Sequence, residues 1–403
     1  MRIALAAAVA FGALILANPA LAQKKYDAGA SDTEIKVGNF VPYSGPASAY
    51  GIVGKVEEAY VKMLNDKGGV NGRKITWISY DDAYSPPKAV EQTRKLVEND
   101  EVLFLYQTLG TPSNTAVMKY LNSKKVPQLM VSSGGTKFGD HKANPWTMPF
   151  NAPYQAEGRI YAAHILKNFP NAKIAVLVPN DDYGKDIYKG IRDGLGAKTS
   201  MIIAETTYES ADPTVDSQMV KLKASGADMF LNLTTPKFAA MAMRKMGELN
   251  WRPVHILNNV SASTAAVIKP AGYENAQGAI TASYIKDPTD PLWKDDPAIK
   301  EWDAFLTKYV PDADRSNSLL LYGYAAAQVM EQIIKQAGDN LTRDNIMKQA
   351  ENLKNVKIGA LMPGIVMNTA ADDHFPIEQM QLLRFKGEMW EMYGPVLEGK
   401  ITD

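Results

Sequence analysis

The chain has 403 residues, carries 44 Lys and Arg against 44 Asp and Glu, and contains no cysteine. Without cysteine there is no disulfide and no Cys-metal site, and the lipid anchor of bacterial lipoproteins, which needs a cysteine at the cleavage point, is chemically unavailable. A near-neutral balance without a basic run argues against nucleic acid as a partner. Stability must then come from core burial, which about 380 mature residues supply most naturally as two domains.

At the N-terminus, Arg2, the apolar run Ile3–Leu16 and the small-x-small site Ala20-Leu21-Ala22 read as a cleaved secretory signal over residues 1–22. The run is broken by Asn18-Pro19 and falls short of the roughly 20 apolar residues that span a bilayer. An exported, unanchored protein is best retained in a Gram-negative periplasm.

The next elements are a strand Ile35–Phe40, the loop Val41–Gly51, and a helical pattern on Val53, Val56, Tyr60, Met63 and Leu64. The Gly-rich turn Lys67–Arg73 stops that helix. A second strand, Lys74–Tyr80, runs into Asp81-Asp82-Ala83-Tyr84-Ser85-Pro86-Pro87. This is a βαβ unit, and its polar loops sit beyond the carboxyl ends of the strands, where open α/β sheets bind ligands. A strand at Val102–Tyr106, a helix at Pro112–Ser123 and a strand at Pro127–Val131 follow. The loop Ser132–Thr136 is expected to open a helix. A second series runs from Tyr154: helix to Lys167, strand Lys173–Val178, helix Tyr183–Gly194 and strand Met201–Thr207. A helix with Val215, Met219 and Leu222 comes next, then strand Asp228–Leu233, helix Lys237–Glu248, and strands Val254–Leu257 and Ala279–Ser283. Strands alternating with helices imply parallel sheets covered on both faces. Helical sequence then continues to about Ala350, and no internal repeat is visible.

Ser44-Gly45-Pro46 with Tyr50-Gly51, the Lys67–Arg73 turn and Tyr80-Asp81-Asp82 leading to Pro87, joined later by Ser113, Thr136 and Tyr183-Gly184, make the chain resemble the periplasmic solute-binding proteins of ABC importers, in the leucine/isoleucine/valine-binding family. The resemblance covers essentially the whole mature chain. It implies an α/β fold of two doubly wound lobes, a type I periplasmic binding protein, joined by a three-strand hinge. By resemblance, residues 26–149 plus 283–376 form lobe I, and residues 150–282 plus 377–403 form lobe II. It also implies a monomer that closes its lobes over a small ligand and docks on an ABC permease in the inner membrane.

No enzymatic constellation stands out. His141, His164, His255 and His374 are isolated, with no metal-ligand spacing. Gly-x-Ser-x-Gly and Gly-x-Gly-x-x-Gly are both absent, which leaves a nucleophile elbow and a dinucleotide cofactor unsupported. No metal, cofactor or catalytic residue is expected. The rival from another class is an exported hydrolase using Ser44 or Ser113, with no histidine placed to activate either; a ligand-sensing protein would use the same fold.

What remains is a set of small polar groups at strand ends, Gln107–Ser113 and Ser132–Thr136. Hydroxyls and free amides at a helix start form an anion site, so a carboxylate could be held there with no arginine. The resemblance places Ser113 and Thr136 at the carboxylate, with backbone groups near Thr111 and Gly134. It sets Tyr50 and Tyr183 on the cleft, one per lobe, with Tyr43 and Ser44 on its rim. Amino-acid-binding members carry an acidic residue after the strand matching Val254–Leu257; here the loop reads Asn258-Asn259-Val260-Ser261. A second acidic position falls on Tyr154, and a further cleft tyrosine falls on Thr235. A desolvated ammonium without a counter-charge costs several kcal/mol. The expected ligand is therefore a carboxylate without an α-ammonium, such as a benzoate or hydroxycinnamate, contacted on closure by Tyr154, Tyr183 and Asn259. Amino-acid or amide binding is the alternative.

Overall fold

Fourteen strands, in two large sheets and a small ribbon, organise the computed structural model, which describes residues 24–399; the signal read over residues 1–22 lies outside the described residues. The first six strands are β1 (Lys25–Tyr26), β2 (Glu34–Val41), β3 (Lys74–Asp81), β4 (Phe104–Tyr106), β5 (Gln128–Val131) and β6 (Thr147–Pro149). Next come β7 (Ile174–Pro179), β8 (Ile202–Tyr208), β9 (Met229–Asn232), β10 (Val254–Leu257) and β11 (Ile280–Ser283). The last are β12 (Asn340–Leu341), β13 (Gln379–Lys386) and β14 (Met389–Glu398).

One sheet is parallel throughout and ordered β3-β2-β4-β5-β6. The other runs β8-β7-β9-β10-β11 in parallel, then adds β13 and β14 antiparallel at the β11 edge. Counted from its own first strand, each sheet is therefore wound second, first, third, fourth, fifth. The winding reverses between β2 and β4, and again between β7 and β9. At such reversals the crossovers leave to opposite faces and open a crevice beyond the strand ends. Every residue of β4, β5, β7 and β9 is buried, as parallel strands covered on both faces require.

The helix Gly51–Asp66 buries Val53, Val56, Tyr60, Val61, Met63 and Leu64 on one face. Its stop is steric: Gly69 takes φ +81°, its amide reaches the Leu64 carbonyl at 2.8 Å, and a Cβ there would lie 1.9 Å from the Arg73 carbonyl oxygen. After β11 the chain forms helices Pro297–Tyr309, Ser318–Ala337 and Arg343–Ala350 before entering β13. The Ser318–Ala337 helix packs on Gly51–Asp66, and Tyr106 of β4 donates to its Ala326 carbonyl at 2.6 Å. Residues 284–350 thus rejoin the first sheet after the second has been built. Among the described residues no helix is long and apolar enough to cross a membrane.

Two features differ from the sequence reading. The loop Ser132–Thr136 opens only a four-residue 3-10 turn, Thr136–Gly139, and not a helix. Its first amide is taken by the Asp186 carboxylate at 2.7 Å, and Asp140 turns the chain by accepting the Lys142 and Ala143 amides. The β13–β14 hairpin lay in the closing residues, where no element was assigned.

Candidate functional site

Both winding reversals face one cavity of about 90 Å3, space for on the order of six to nine water-sized groups. From the first sheet come Tyr50 and Val53 after β2, Tyr84 after β3, Leu109, Gly110 and Thr111 after β4, and Ser132 after β5. From the second come Tyr183 after β7, Thr235 after β9, and Asn259 and Val260 after β10. Asn151 and Tyr154 lie on the crossing between the sheets, Ser283 to Asp287 on the return, and Trp390 on β14.

The polar end is built by the first sheet. Thr111 opens the helix Thr111–Lys124, with Gly110 as its cap at φ +106°. Helix-start amides and the helix dipole favour an anion there. The Thr111 and Ser133 hydroxyls are 2.8 Å apart, and the Ser132 hydroxyl lies 2.8 Å from that of Tyr322, which donates to Asn151 Oδ1 at 2.6 Å.

Rings line the cavity from both sheets, Tyr50 and Tyr84 from the first and Tyr183 from the second, with Tyr154 from the crossing. Tyr154 and Tyr183 meet edge to face, with centroids 4.8 Å apart at 72°. Tyr154 donates its amide to the Gly134 carbonyl at 2.7 Å and lies over that glycine; a Cβ on Gly134 would be 2.9 Å from the ring and 2.3 Å from the Ala152 carbonyl. Burial pushes the Tyr154 phenol up to about 12 and the Tyr183 phenol well above its usual value, so both are neutral donors or acceptors. Asn258 donates its amide to the Tyr183 hydroxyl. The Thr235 amide donates to the Tyr208 hydroxyl at 3.0 Å. Tyr50 reaches across the sheets and donates to the Val260 carbonyl at 3.1 Å.

Of the residues expected at the ligand, Tyr50, Thr111, Tyr154, Tyr183, Thr235 and Asn259 line the cavity. Tyr43, Ser44, Ser113, Gly134 and Thr136 do not. Tyr43 bonds Ser79 at 2.7 Å and packs on Gly54, while the Ser44 hydroxyl is held by Asp81. Ser113 is fully buried and donates to Asp82 at 2.6 Å. Gly134 acts from behind, as the floor under Tyr154. Thr136 gives both amide and hydroxyl to Asp186, at 2.7 and 2.9 Å, and the neighbouring Lys137 pairs with Asp182 at 2.9 Å. These last contacts clasp the first sheet's loop to the helix Asp182–Leu195 that follows β7.

Sequence reasoning missed Tyr84, Tyr284, Tyr322, Trp390, Asn151 and Asp287. Tyr322 sits in the second turn of the helix Ser318–Ala337, and nothing in its neighbourhood marks it. Tyr84 did carry a signal, since it lies in the Asp81–Pro87 loop singled out from the sequence. Glu157, one helical turn past Tyr154, is 2% exposed. Its carboxyl accepts the Asn259 amide at 2.7 Å and the Tyr161 hydroxyl at 2.9 Å, and burial raises it to about 7. It shapes the Asn258–Ser261 loop from behind and does not line the cavity. The histidines lie elsewhere; His255 is buried against Phe230, and that burial lowers it to about 4.

Two doubly wound sheets with facing reversals and one cavity between them have a counterpart among known families. Residues 34–388 match the family model described as periplasmic binding protein. The chain belongs to that family. Within it the similarity runs to the leucine/isoleucine/valine-binding type: it is 26% identical over 347 residues to the Leu/Ile/Val-binding protein homolog 1 of Brucella suis, covering 84% of each. It is also 28% identical over 334 residues to homolog 3 of Brucella melitensis, covering 80% of this chain and 85% of the relative. Among solved structures it resembles a branched-chain amino acid ABC transporter protein from Thermus thermophilus with bound valine, at TM-score 0.81 and 16% identity over 91% and 97% of the two chains. A fatty acid ABC transporter substrate-binding protein from Thermomonospora curvata gives TM-score 0.75 at 20% identity, covering 93% and 95%. This type I periplasmic binding protein shares its fold with proteins of differing named ligands, so the fold leaves the ligand open.

Proposed function

We propose that this periplasmic binding protein serves an ABC importer for a small carboxylate with an aromatic body and no α-ammonium. The observation that carries this reading is the division of the cavity wall. The first sheet offers a helix start with the Thr111 hydroxyl, which suits a carboxylate without a cationic side chain. The second sheet and the crossing offer Tyr154, Tyr183, Thr235 and Asn259, none of them able to neutralise an ammonium. The carboxyls near that wall are engaged elsewhere: Asp181 accepts the Gly184 amide, Asp182 pairs with Lys137, and Glu157 accepts the Asn259 amide. Six tyrosines and Trp390 around the cavity suit a ring, by stacking or edge contact.

A second reading, a branched-chain amino acid, is favoured by the names of the relatives and by the valine in the Thermus protein. It requires Asp287 to meet the ammonium. A thermal-shift and calorimetric panel decides between them: leucine, isoleucine, valine and phenylalanine beside benzoates, cinnamates and phenylpyruvate. Micromolar binding, about −8 kcal/mol, is expected for an aromatic carboxylate. Stabilisation by branched-chain amino acids alone would refute the first reading.

A further inference from the structure

Asp287 is an acidic residue in the cavity wall, 6% exposed. It stands four residues beyond β11, where the chain returns toward the first sheet. The Lys286 amide donates to the Ala360 carbonyl at 2.9 Å and holds this segment in place. One carboxyl oxygen of Asp287 accepts both the amide of Thr289, at 2.9 Å, and its hydroxyl. Among the described residues, no group donates to the other oxygen.

Nor does a cation answer its charge. Lys286 is adjacent in sequence, but its ammonium donates to Asp296 at 2.6 Å and to the Gly359 carbonyl at 2.7 Å, over the Trp293 ring. The neighbouring carboxylate is Asp290, which caps the Leu292 amide. Burial, opposed by the Thr289 bonds, leaves the Asp287 carboxyl at about 6, so it is mostly an acceptor at neutral pH. Its open oxygen therefore faces the cavity as a charged acceptor that a ligand donor can meet.

We infer that Asp287 is a second anchor of the ligand: its open oxygen accepts a hydrogen bond from a hydroxyl carried away from the ligand's carboxylate, which makes the ligand class a hydroxy-substituted aromatic carboxylate. This rests on the carboxylate reading above. A hydroxyl fits better than an ammonium by a count of partners. An ammonium brings three donors, whereas on this return segment one Asp287 oxygen is open and the Ser283 hydroxyl is already given to the Ile285 carbonyl at 2.8 Å. The Trp390 indole N–H is already given to the Ala262 carbonyl at 2.7 Å.

The test is calorimetry with matched pairs, benzoate against its 2-, 3- and 4-hydroxy forms and cinnamate against 4-hydroxycinnamate. The full chain, Asp287→Asn and Asp287→Ala are compared. In the wild type one hydroxy isomer is expected to bind at least about tenfold tighter than its parent acid, the size of a hydrogen bond to a charged group. That ratio should fall to about threefold or less in Asp287→Ala and lie between the two in Asp287→Asn. Parent acids that bind with no hydroxyl preference, or a preference that survives in Asp287→Ala, overturn the role of Asp287 and leave the carboxylate reading standing. A distal ammonium outcompeting the hydroxyl also overturns it. No binding by any carboxylate overturns both.

Discussion

The two large sheets share one winding and differ in what they bring to the cavity. Strand for strand, β3-β2-β4-β5-β6 and β8-β7-β9-β10-β11 are the same open parallel design, and both aim their reversals at the same space. Yet the first presents a helix start with Thr111 beside Tyr50 and Tyr84, while the second presents Tyr183, a threonine and an asparagine. A repeated scaffold therefore carries an unrepeated chemistry: the strand ends set where a ligand can sit, and the loops after them set which end of it each half holds. The second sheet also carries the antiparallel β13–β14 edge, which brings Leu383 and Trp390 to the cavity and has no equivalent in the first.

The comparison breaks first at the polar half. Replacing Thr111 with Val removes a hydroxyl donor at the helix start, and affinity by calorimetry should fall by about 30-fold. An unchanged affinity would mean that the first sheet does not hold the anion. Next is the second sheet, where Tyr183→Leu ends the edge-to-face contact with Tyr154. Affinity for an aromatic acid should drop about tenfold, with a smaller loss for a short aliphatic acid. The clasp between the halves is expected to matter less. Asp186→Ala deprives Thr136 and Gln155 of their acceptor. A few-fold weaker binding should follow, with a larger radius of gyration of the ligand-free protein by small-angle scattering.

The smallest expected effect concerns stability. Asp82, Glu157 and Asp287 all have carboxyls raised by burial, to about 6, 7 and 6. Between the ordinary carboxylate range and about pH 7 the folded chain binds more protons than the unfolded one, so stability falls as pH rises through that window and levels above it. Glu157→Gln keeps an oxygen for the Asn259 amide and removes one of these titrations. Its melting temperature should fall less steeply between pH 4.5 and 7.5, by the order of a few degrees, as scanning calorimetry would show.

Much of the architecture was legible along the chain. Alternating apolar strands and 3–4-spaced helices predict covered parallel sheets. While the helix Pro86–Arg94 and strands β1, β6, β12, β13 and β14 had no expected counterpart, the strands expected from Ile35 to Ser283 recur within a residue or two. Local signals sufficed there because hydrophobic period, Gly stops and Pro starts act within a few residues. The identical winding of the halves was not legible, since strand order is set by crossovers and not by any repeat of residues. At the site, strand ends marked the loops, and the family resemblance picked Tyr50, Thr111, Tyr154, Tyr183, Thr235 and Asn259 within or after them. Ser113 and Thr136 sit just as near to strand ends but turn to Asp82 and Asp186, and a hydroxyl's choice between a protein carboxylate and a ligand is not encoded in its spacing.

The sequence by itself determined the class of fold, the loops that could form a site, and the lack of an acidic residue in Asn258–Ser261. Only the tertiary structure decided which side chains share the cavity. Tyr322 comes from the second turn of a long helix, Trp390 from an antiparallel edge, and Asp287 from the segment returning between the sheets. All three reach the cavity through long-range packing of chain that rejoins the first sheet or edges the second, so their placement depends on contacts across hundreds of residues and leaves no mark in their immediate neighbours.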